Sequence, residues 1–256
     1  MFPIPLRDEN PTRTFPIVVV LLIGVNIAVY VYQSLLSDVD LFLFRYTYSV
    51  IPVVVTGQAK MMEAIGAAYP QAYGYLTQHG LQPHALAPVW LTIFSSMFLH
   101  GNLVHLGGNM LYLWIFGNNV EDIVGHVRFL IFYLVCGVIA AMAQIALTLH
   151  SPAPMLGASG AVAGVLGAYY LRFPTARVLT LLWILYFVQL VYLPASLLLF
   201  LWFLLQVIQS VTSLGGSGGG GVAVFAHVGG FVAGWLLVRV FARGGGRPRG
   251  IRWERG

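Results

Sequence analysis

The chain has 256 residues, 59% of them hydrophobic and only 8% charged, with a mean hydropathy of +0.83, against roughly 25% charged residues in an ordinary soluble domain. Its 13 basic and 8 acidic side chains cannot clothe so much apolar surface in water, and a lone Cys136 cannot pair within the chain, so a soluble globule, a disordered chain, a coiled coil and a disulfide scaffold are excluded. The net charge of +5 does not point to nucleic acid either, because the arginines punctuate apolar runs instead of gathering on one face.

A charged side chain at the bilayer centre costs about 2.5–3.5 kcal/mol or more, so charge-free stretches of about 20 residues mark where the chain crosses. Between Arg13 and Asp38 lie 24 uncharged residues, and 15–36 reads as the first span. It is longer than the roughly 7–15-residue core of a signal peptide and lacks a small-residue cleavage site. Residues 38–99 carry Asp38, Asp40, Arg45, Lys60, Glu63 and several prolines. They read as a long external loop with short interfacial helices, a candidate lid or rim. Residues 102–120 form the second span, ending at Glu121-Asp122, which read as interfacial end caps. The 43 uncharged residues after Arg128 exceed one crossing and are broken by His150-Ser151-Pro152-Ala153-Pro154. That yields a third span at about 127–149, with Cys136 as inert packing, and a short fourth at about 159–173. After Arg177 come 61 uncharged residues, interrupted at Leu193-Pro194 and by the glycine-rich run 215–221. The fifth span falls at about 194–212 and the sixth at about 222–242. The expected fold is an all-α polytopic membrane bundle of six transmembrane helices over 15–242, flanked by an N-terminal segment 1–14 and a basic tail 243–256.

Lys and Arg in short flanking segments set orientation. Eleven of the 13 basic residues fall beside one set of span ends, leaving only Arg45 and Lys60 opposite. Both termini are therefore expected in the cytoplasm, and the Arg-rich tail reads as a topological anchor.

Polar groups at membrane depth are expensive and few. Asn102, His105 and Asn109 stand at i, i+3 and i+7, a stripe on one face of the second span. Ser159 opens the fourth span, and His227 lies near the start of the sixth. At 1.5 Å per residue, His105 and Asn109 sit roughly 6–12 Å below the outer surface and His227 about 8 Å below it. The fourth span, at about 15 residues, covers roughly 22 Å of a core about 30 Å thick, which submerges Ser159 as well. Gly160, Ala161, Ala163, Gly164, Gly167 and Ala168 make the fourth helix thin, and Ala226, Gly230 and Gly234 stripe the sixth with small residues. Such faces allow close backbone approach. Singly, each polar residue reads as packing or an interhelical hydrogen bond; together they converge on one level.

Convergence of these types permits peptide hydrolysis, which needs an activated nucleophile, a proton shuttle and donors for the oxyanion. His227 would take the Ser159 proton and return it to the leaving amine. The Ser159 N–H at a helix N-terminus, with Asn109 and His105, would bind the oxyanion. No carboxylate is near enough to orient the histidine, so the pair reads as a dyad. A His-Glu-x-x-His helix is absent from the sequence, as are paired intramembrane aspartates, and no metal or cofactor is expected.

These residues stand in His100-Gly101-Asn102-Leu103-Val104-His105-Leu106-Gly107-Gly108-Asn109, in Gly157-Ala158-Ser159-Gly160 and in Ala226-His227-Val228-Gly229-Gly230. On all three motifs, in order over nearly the whole chain, the protein resembles the rhomboid intramembrane serine proteases. The resemblance implies Ser159 as nucleophile, His227 as general base, and His105 with Asn109 as oxyanion-stabilising residues, supported by Gly157, Gly160 and Gly230. It also implies a cavity open to the outside, a gate involving the fifth helix, and single-pass transmembrane substrates cut beside small residues. The segment 6–13 looks like bacterial members, hence the cytoplasmic membrane. Two positions depart from the family pattern. Trp90 is followed by Leu91 where many members carry arginine, and Ala163 replaces an aromatic that backs the histidine, so something else must hold the ring of His227. Two rival readings are a silent rhomboid-like factor that binds membrane proteins, which would typically lack the serine or histidine, and a small transporter, which would show repeats or a polar route to the other face.

Overall fold

The computed structural model describes residues 3–84, 86–184, 187–215 and 223–242; the expected basic tail 243–256 and residues 216–222 around the glycine-rich break lie outside them. Strand β1 (Ile4–Asp8) leads to α1 (Ile17–Leu35). The stretch after α1 folds into α2 (Asp38–Tyr48), α3 (Pro52–Val55), α4 (Met61–Ala68) and α5 (Pro70–Gln78), then α6 (Thr92–Ser95) between two 3-10 turns. There follow α7 (Leu103–Val124), α8 (His126–Leu147), α9 (Ser159–Arg172), strands β2 (Arg177–Ile184) and β3 (Phe187–Pro194), α10 (Ala195–Gly215) and α11 (Val224–Phe241).

Three of the described helices, Ile17–Leu35, His126–Leu147 and Val224–Phe241, are long and apolar enough to cross a bilayer. A fourth is added if Val89–Phe98 and Leu103–Val124, bent by 81°, count as one span, and Ala195–Val211 is a shorter apolar helix. The chain is a mostly helical, multi-pass membrane protein. Residues 160–169 of α9 are buried on every face, so this helix of 14 residues is the post around which α7, α8, α10 and α11 pack.

The all-α expectation is corrected by a three-stranded antiparallel sheet in the order β1-β2-β3. Ile4 pairs with Leu181 and Asp8 with Val178, while Arg177 pairs with Pro194 and Leu182 with Gln189. Two runs of 8 residues are too short to cross as helices, and they are rich in β-branched and aromatic types that suit a pleated surface. In β2 the burial has the period of a strand, with Val178 and Thr180 enclosed and Leu179 half-buried between them, while Val188, Gln189 and Leu190 of β3 are all exposed. At the base of the hairpin, Ala195 N donates to Ala176 O at 2.8 Å, which sets the start of α10 beside the end of α9.

Two further expectations change. Asn102 is the N-cap of α7, its side chain accepting from His105 N at 2.8 Å, so it stands outside the helix and shares no face with His105 and Asn109. Glu121 does cap a helix, but it is α1, while Asp122 holds the segment that leads into it. Val18 N and Val19 N donate to Glu121 at 2.9 and 2.8 Å, and Thr14 N donates to Asp122 at 3.0 Å. Carboxylates at the C-terminal end of α7 oppose its own dipole, whereas at the N-terminus of α1 they satisfy orphan N–H groups and meet the positive end.

Asp8 ties β1 to the bundle, accepting from Tyr169 Oη–H at 2.6 Å and Asn119 Nδ2 at 2.8 Å. Burial outweighs these two bonds and pushes its carboxyl up to about 6 from an ordinary 3.8. A folded-state value above the unfolded one means that the contribution of this group is fully present below about 4 and fades as pH rises through about 6. Asp8→Asn should therefore flatten the change in melting temperature between pH 4 and 6 in detergent micelles; an unaltered slope in that window would show that Asp8 does not titrate there.

Candidate active site

The turn before α9 is shaped by Gly157, whose φ of +124° suits a residue without Cβ. A Cβ there would stand 2.7 Å from His105 Cε1 and 2.9 Å from His105 Nε2, so the missing side chain is also what lets the His105 ring lie against this backbone. Gly157 N donates to Ser96 O at 2.8 Å, which pins the turn to the segment preceding α7. Ser159 is then the first residue of α9. The preceding Ala158 provides no side-chain cap, which leaves early N–H groups of this helix directed at whatever lies in front of it.

His227 sits one turn into α11 and is buried. Gln144 of α8 accepts from Phe225 N at 3.1 Å and Ala226 N at 3.2 Å, so a side chain from another helix caps this terminus and fixes the height of the imidazole. Close approach of α9 and α11 does the rest. A Cβ on Gly230 would lie 2.1 Å from Gly160 O, and one on Gly167 would lie 2.0 Å from Phe231 O. His227 Nε2 and Ser159 Oγ are 2.7 Å apart, a hydrogen bond that the hydroxyl donates when Nε2 carries no proton.

His105 and Asn109 stand on the facing stretch of α7, and each also meets His100. Asn109 Nδ2 lies 2.9 Å from His100 Nε2, which occupies one of its two N–H donors. His105 stacks edge-on with His100, ring centroids 5.1 Å apart. His100 is fully buried and is gripped through its backbone by Gln33, with His100 N to Gln33 Oε1 at 3.1 Å and Gln33 Nε2 to His100 O at 3.3 Å. Sequence reasoning quoted His100 without giving it a role. Its signal was present: a histidine next to a helix cap and one helical face away from two other polar groups.

Both departures from the family pattern find a structural answer. Arg45 of α2 donates to Gly101 O at 3.0 Å, so an arginine does hold the segment before α7 although position 91 is leucine. Behind His227, where Ala163 offers no ring, Gln206 of α10 places Oε1 2.7 Å from Nδ1, and the Trp202 ring centroid lies 6.0 Å from that of the imidazole. Gln206 and Gln144 were missed because their partners are 21 and 81 residues away, and one or two glutamines in an apolar helix read as packing.

A small cavity of about 30 Å³ adjoins Ser159, lined among others by Met97, Gly137, Ala140, Met155 and Leu156. Among the described residues no three His, Cys, Asp or Glu side chains gather as a metal-ligand set. The arrangement can deprotonate a hydroxyl, present it beside a helix N-terminus and admit a small group next to it.

Residues 87–244 match the family model described as Rhomboid domain. The chain is similar to rhomboid protease GluP of Bacillus subtilis (strain 168), 40% identical over 79 residues that cover 31% of this chain and 15% of that protein. It is similar to rhomboid protein 1, mitochondrial, of Saccharomyces cerevisiae, 32% identical over 114 residues covering 43% of this chain and 33% of that protein. It is also similar to the human presenilin-associated rhomboid-like protein, mitochondrial, 33% identical over 107 residues covering 40% and 27% of the two chains. The aligned part thus spans between 15% and 33% of the length of these relatives.

Proposed function

The chain belongs to the rhomboid family, and from that premise we propose that it is an intramembrane serine endopeptidase acting through Ser159 and His227. The single observation that carries this reading is the 2.7 Å contact between Ser159 Oγ and His227 Nε2 at the start of a buried helix. In the proposed reaction His227 removes the hydroxyl proton as Oγ attacks the scissile carbonyl. The oxyanion is met by the Ser159 N–H at the positive end of α9, by His105, and by the Asn109 N–H that His100 leaves free. His227 then protonates the departing amine, and a water activated by the same nitrogen releases the acyl group from Oγ.

Six crossings, α1, α7, α8, α9, α10 and α11, form the proposed unit over 15–242, with the 1–14 and 243–256 segments in the cytoplasm and 38–99 outside. The cytoplasmic membrane of a bacterium is the proposed location. Substrates are single-pass membrane proteins entering sideways. Because a helix shields its own carbonyls by having each accept from the N–H four residues on, the substrate must unwind near its outer end before Oγ can reach a carbonyl. The 30 Å³ cavity beside Ser159 holds about one water or a methyl group, which favours small residues before the cut.

A fluorophosphonate probe tests this directly in detergent micelles. The parent should label at Ser159, as located by peptide mass spectrometry, and Ser159→Ala should not label at all. An unlabelled, folded parent would return the chain to a silent membrane-protein binder, and equal labelling of parent and variant would remove Ser159 from the chemistry.

A further inference from the structure

We propose that Gln206 is the positioning residue of this site, a neutral third member that fixes the tautomer of His227; the inference rests on the protease reading above. An imidazole can serve Ser159 as a base only if Nε2 is bare, which requires the ring proton on Nδ1. Gln206 Oε1 lies 2.7 Å from that nitrogen, and Ser159 Oγ lies 2.7 Å from the other. The amide oxygen has lone pairs and no proton, so it accepts from Nδ1–H and leaves Nε2 to accept from the serine hydroxyl. Were the amide reversed, its NH2 would donate to Nδ1, the ring proton would move to Nε2, and the hydroxyl would face a donor.

Gln206 is itself buried, as is His227. A carboxylate in its place would bring a charge into a membrane helix at a steep desolvation cost. An amide provides the same acceptor geometry without charge, as asparagine does in the papain-like arrangement. It also comes from α10, a helix that carries neither the nucleophile nor the base. The orientation of His227 is therefore set jointly by its own helix and by one packed against it. The 6.0 Å approach of Trp202, four residues earlier on the same helix, leaves the imidazole a wall on that side, so its plane is held as well as its proton.

The proton balance is simple. Ser159 Oγ–H passes its proton to Nε2 and the imidazolium keeps the Nδ1 proton, whose bond to Gln206 Oε1 shortens as the ring gains charge. Nothing is oxidised or reduced, and the proton gained at Nε2 leaves on the departing amine.

Selective 15N-histidine NMR on the full chain in micelles reads the tautomer directly. One of the 7 histidines is assigned to His227 by the resonance that His227→Asn removes. The parent is expected to carry its ring proton on Nδ1. Gln206→Met, similar in length and without an acceptor, should give a mixed or Nε2–H tautomer, with fluorophosphonate labelling and kcat slower by roughly 10–100-fold, less than the ~10⁴ lost with a charged orienting group, and with KM unchanged. Gln206→Glu, which keeps an oxygen in place, should restore the Nδ1–H tautomer and labelling to within about tenfold of the parent. If Gln206→Met fails to fold, the parent spectrum and Gln206→Glu still decide. A parent whose His227 carries its proton on Nε2, or a folded Gln206→Met that labels at the parental rate with an unshifted spectrum, overturns the assignment while the protease reading stands. A parent that never labels at Ser159 overturns both.

Discussion

Gly234→Ala should destabilise the protein by about 3 kcal/mol or more, lowering its melting temperature by roughly 6–12 °C, and should abolish cleavage by the fraction that remains folded. The added Cβ would lie 1.8 Å from Gly164 O, 2.4 Å from Gly164 C and 2.6 Å from its Cα. All three are backbone atoms, so no side chain can swing away, and α9 and α11 must separate until ordinary contact at about 3.5–4 Å is restored. Overpacked cores usually relieve strain by rotamer shifts; here only a helix can move. The same two helices hold Ser159 and His227 at 2.7 Å, and a displacement of an ångström or more breaks that bond. Gly24→Ala is the control: a Cβ there meets nothing within 4 Å, and the variant should melt with the parent. Thermal melting of both proteins in one detergent separates a general effect of losing glycine from this contact. Equal melting of the two would show that α9 and α11 do not pack as closely as the backbone positions require.

Much of the architecture was readable from where charges are absent. Gaps after Arg13, Arg128 and Arg177 located the helical segments Ile17–Leu35, His126–Leu147 and Val224–Phe241 within a few residues, because charge in hydrocarbon is the largest single term acting on such a chain. The same measure was blind at 178–193. Charge-free length reports transfer cost and not period, and a short apolar run can be a strand as easily as part of a helix. The alternation of buried Val178 and Thr180 about half-buried Leu179 is a period of two that a count of charges does not see.

The candidate site was legible to a different degree. Ser159, His227, His105 and Asn109 stood out because polar groups at membrane depth need partners, and small residues at 160, 164, 230 and 234 indicated which helices approach closely. The partners themselves were not legible. Gln206 and Gln144 act across helix pairs, Glu121 caps a helix more than 100 residues earlier in the chain and Asp122 holds the segment leading into it, and Asn102 serves the terminus of α7 instead of its face. Each of these is a question of which neighbour a side chain meets, and one-dimensional spacing specifies faces without specifying neighbours.

Ser159→Ala and His227→Ala should each reduce cleavage of a single-span reporter in proteoliposomes by at least about 10⁴-fold, and the double variant should be no slower than either. The reason is that in the proposed mechanism the two side chains make one chemical unit. Without the imidazole, the hydroxyl keeps its proton and is a poor nucleophile at neutral pH; without the hydroxyl, the imidazole has no proton to take from a group positioned for attack. What remains in every case is the binding of substrate and the N–H donors at the start of α9, so all three variants converge on one floor. Asn109→Ala should fall short of that floor, by about 10²–10³-fold, because it removes one oxyanion donor and also frees His100 from its 2.9 Å contact without touching the nucleophile. The comparison is best made in single turnover, where chemistry is separated from product release. Losses that multiply in the double variant would mean that Ser159 and His227 act independently, and the 2.7 Å contact between them would then be a packing bond with no proton to carry.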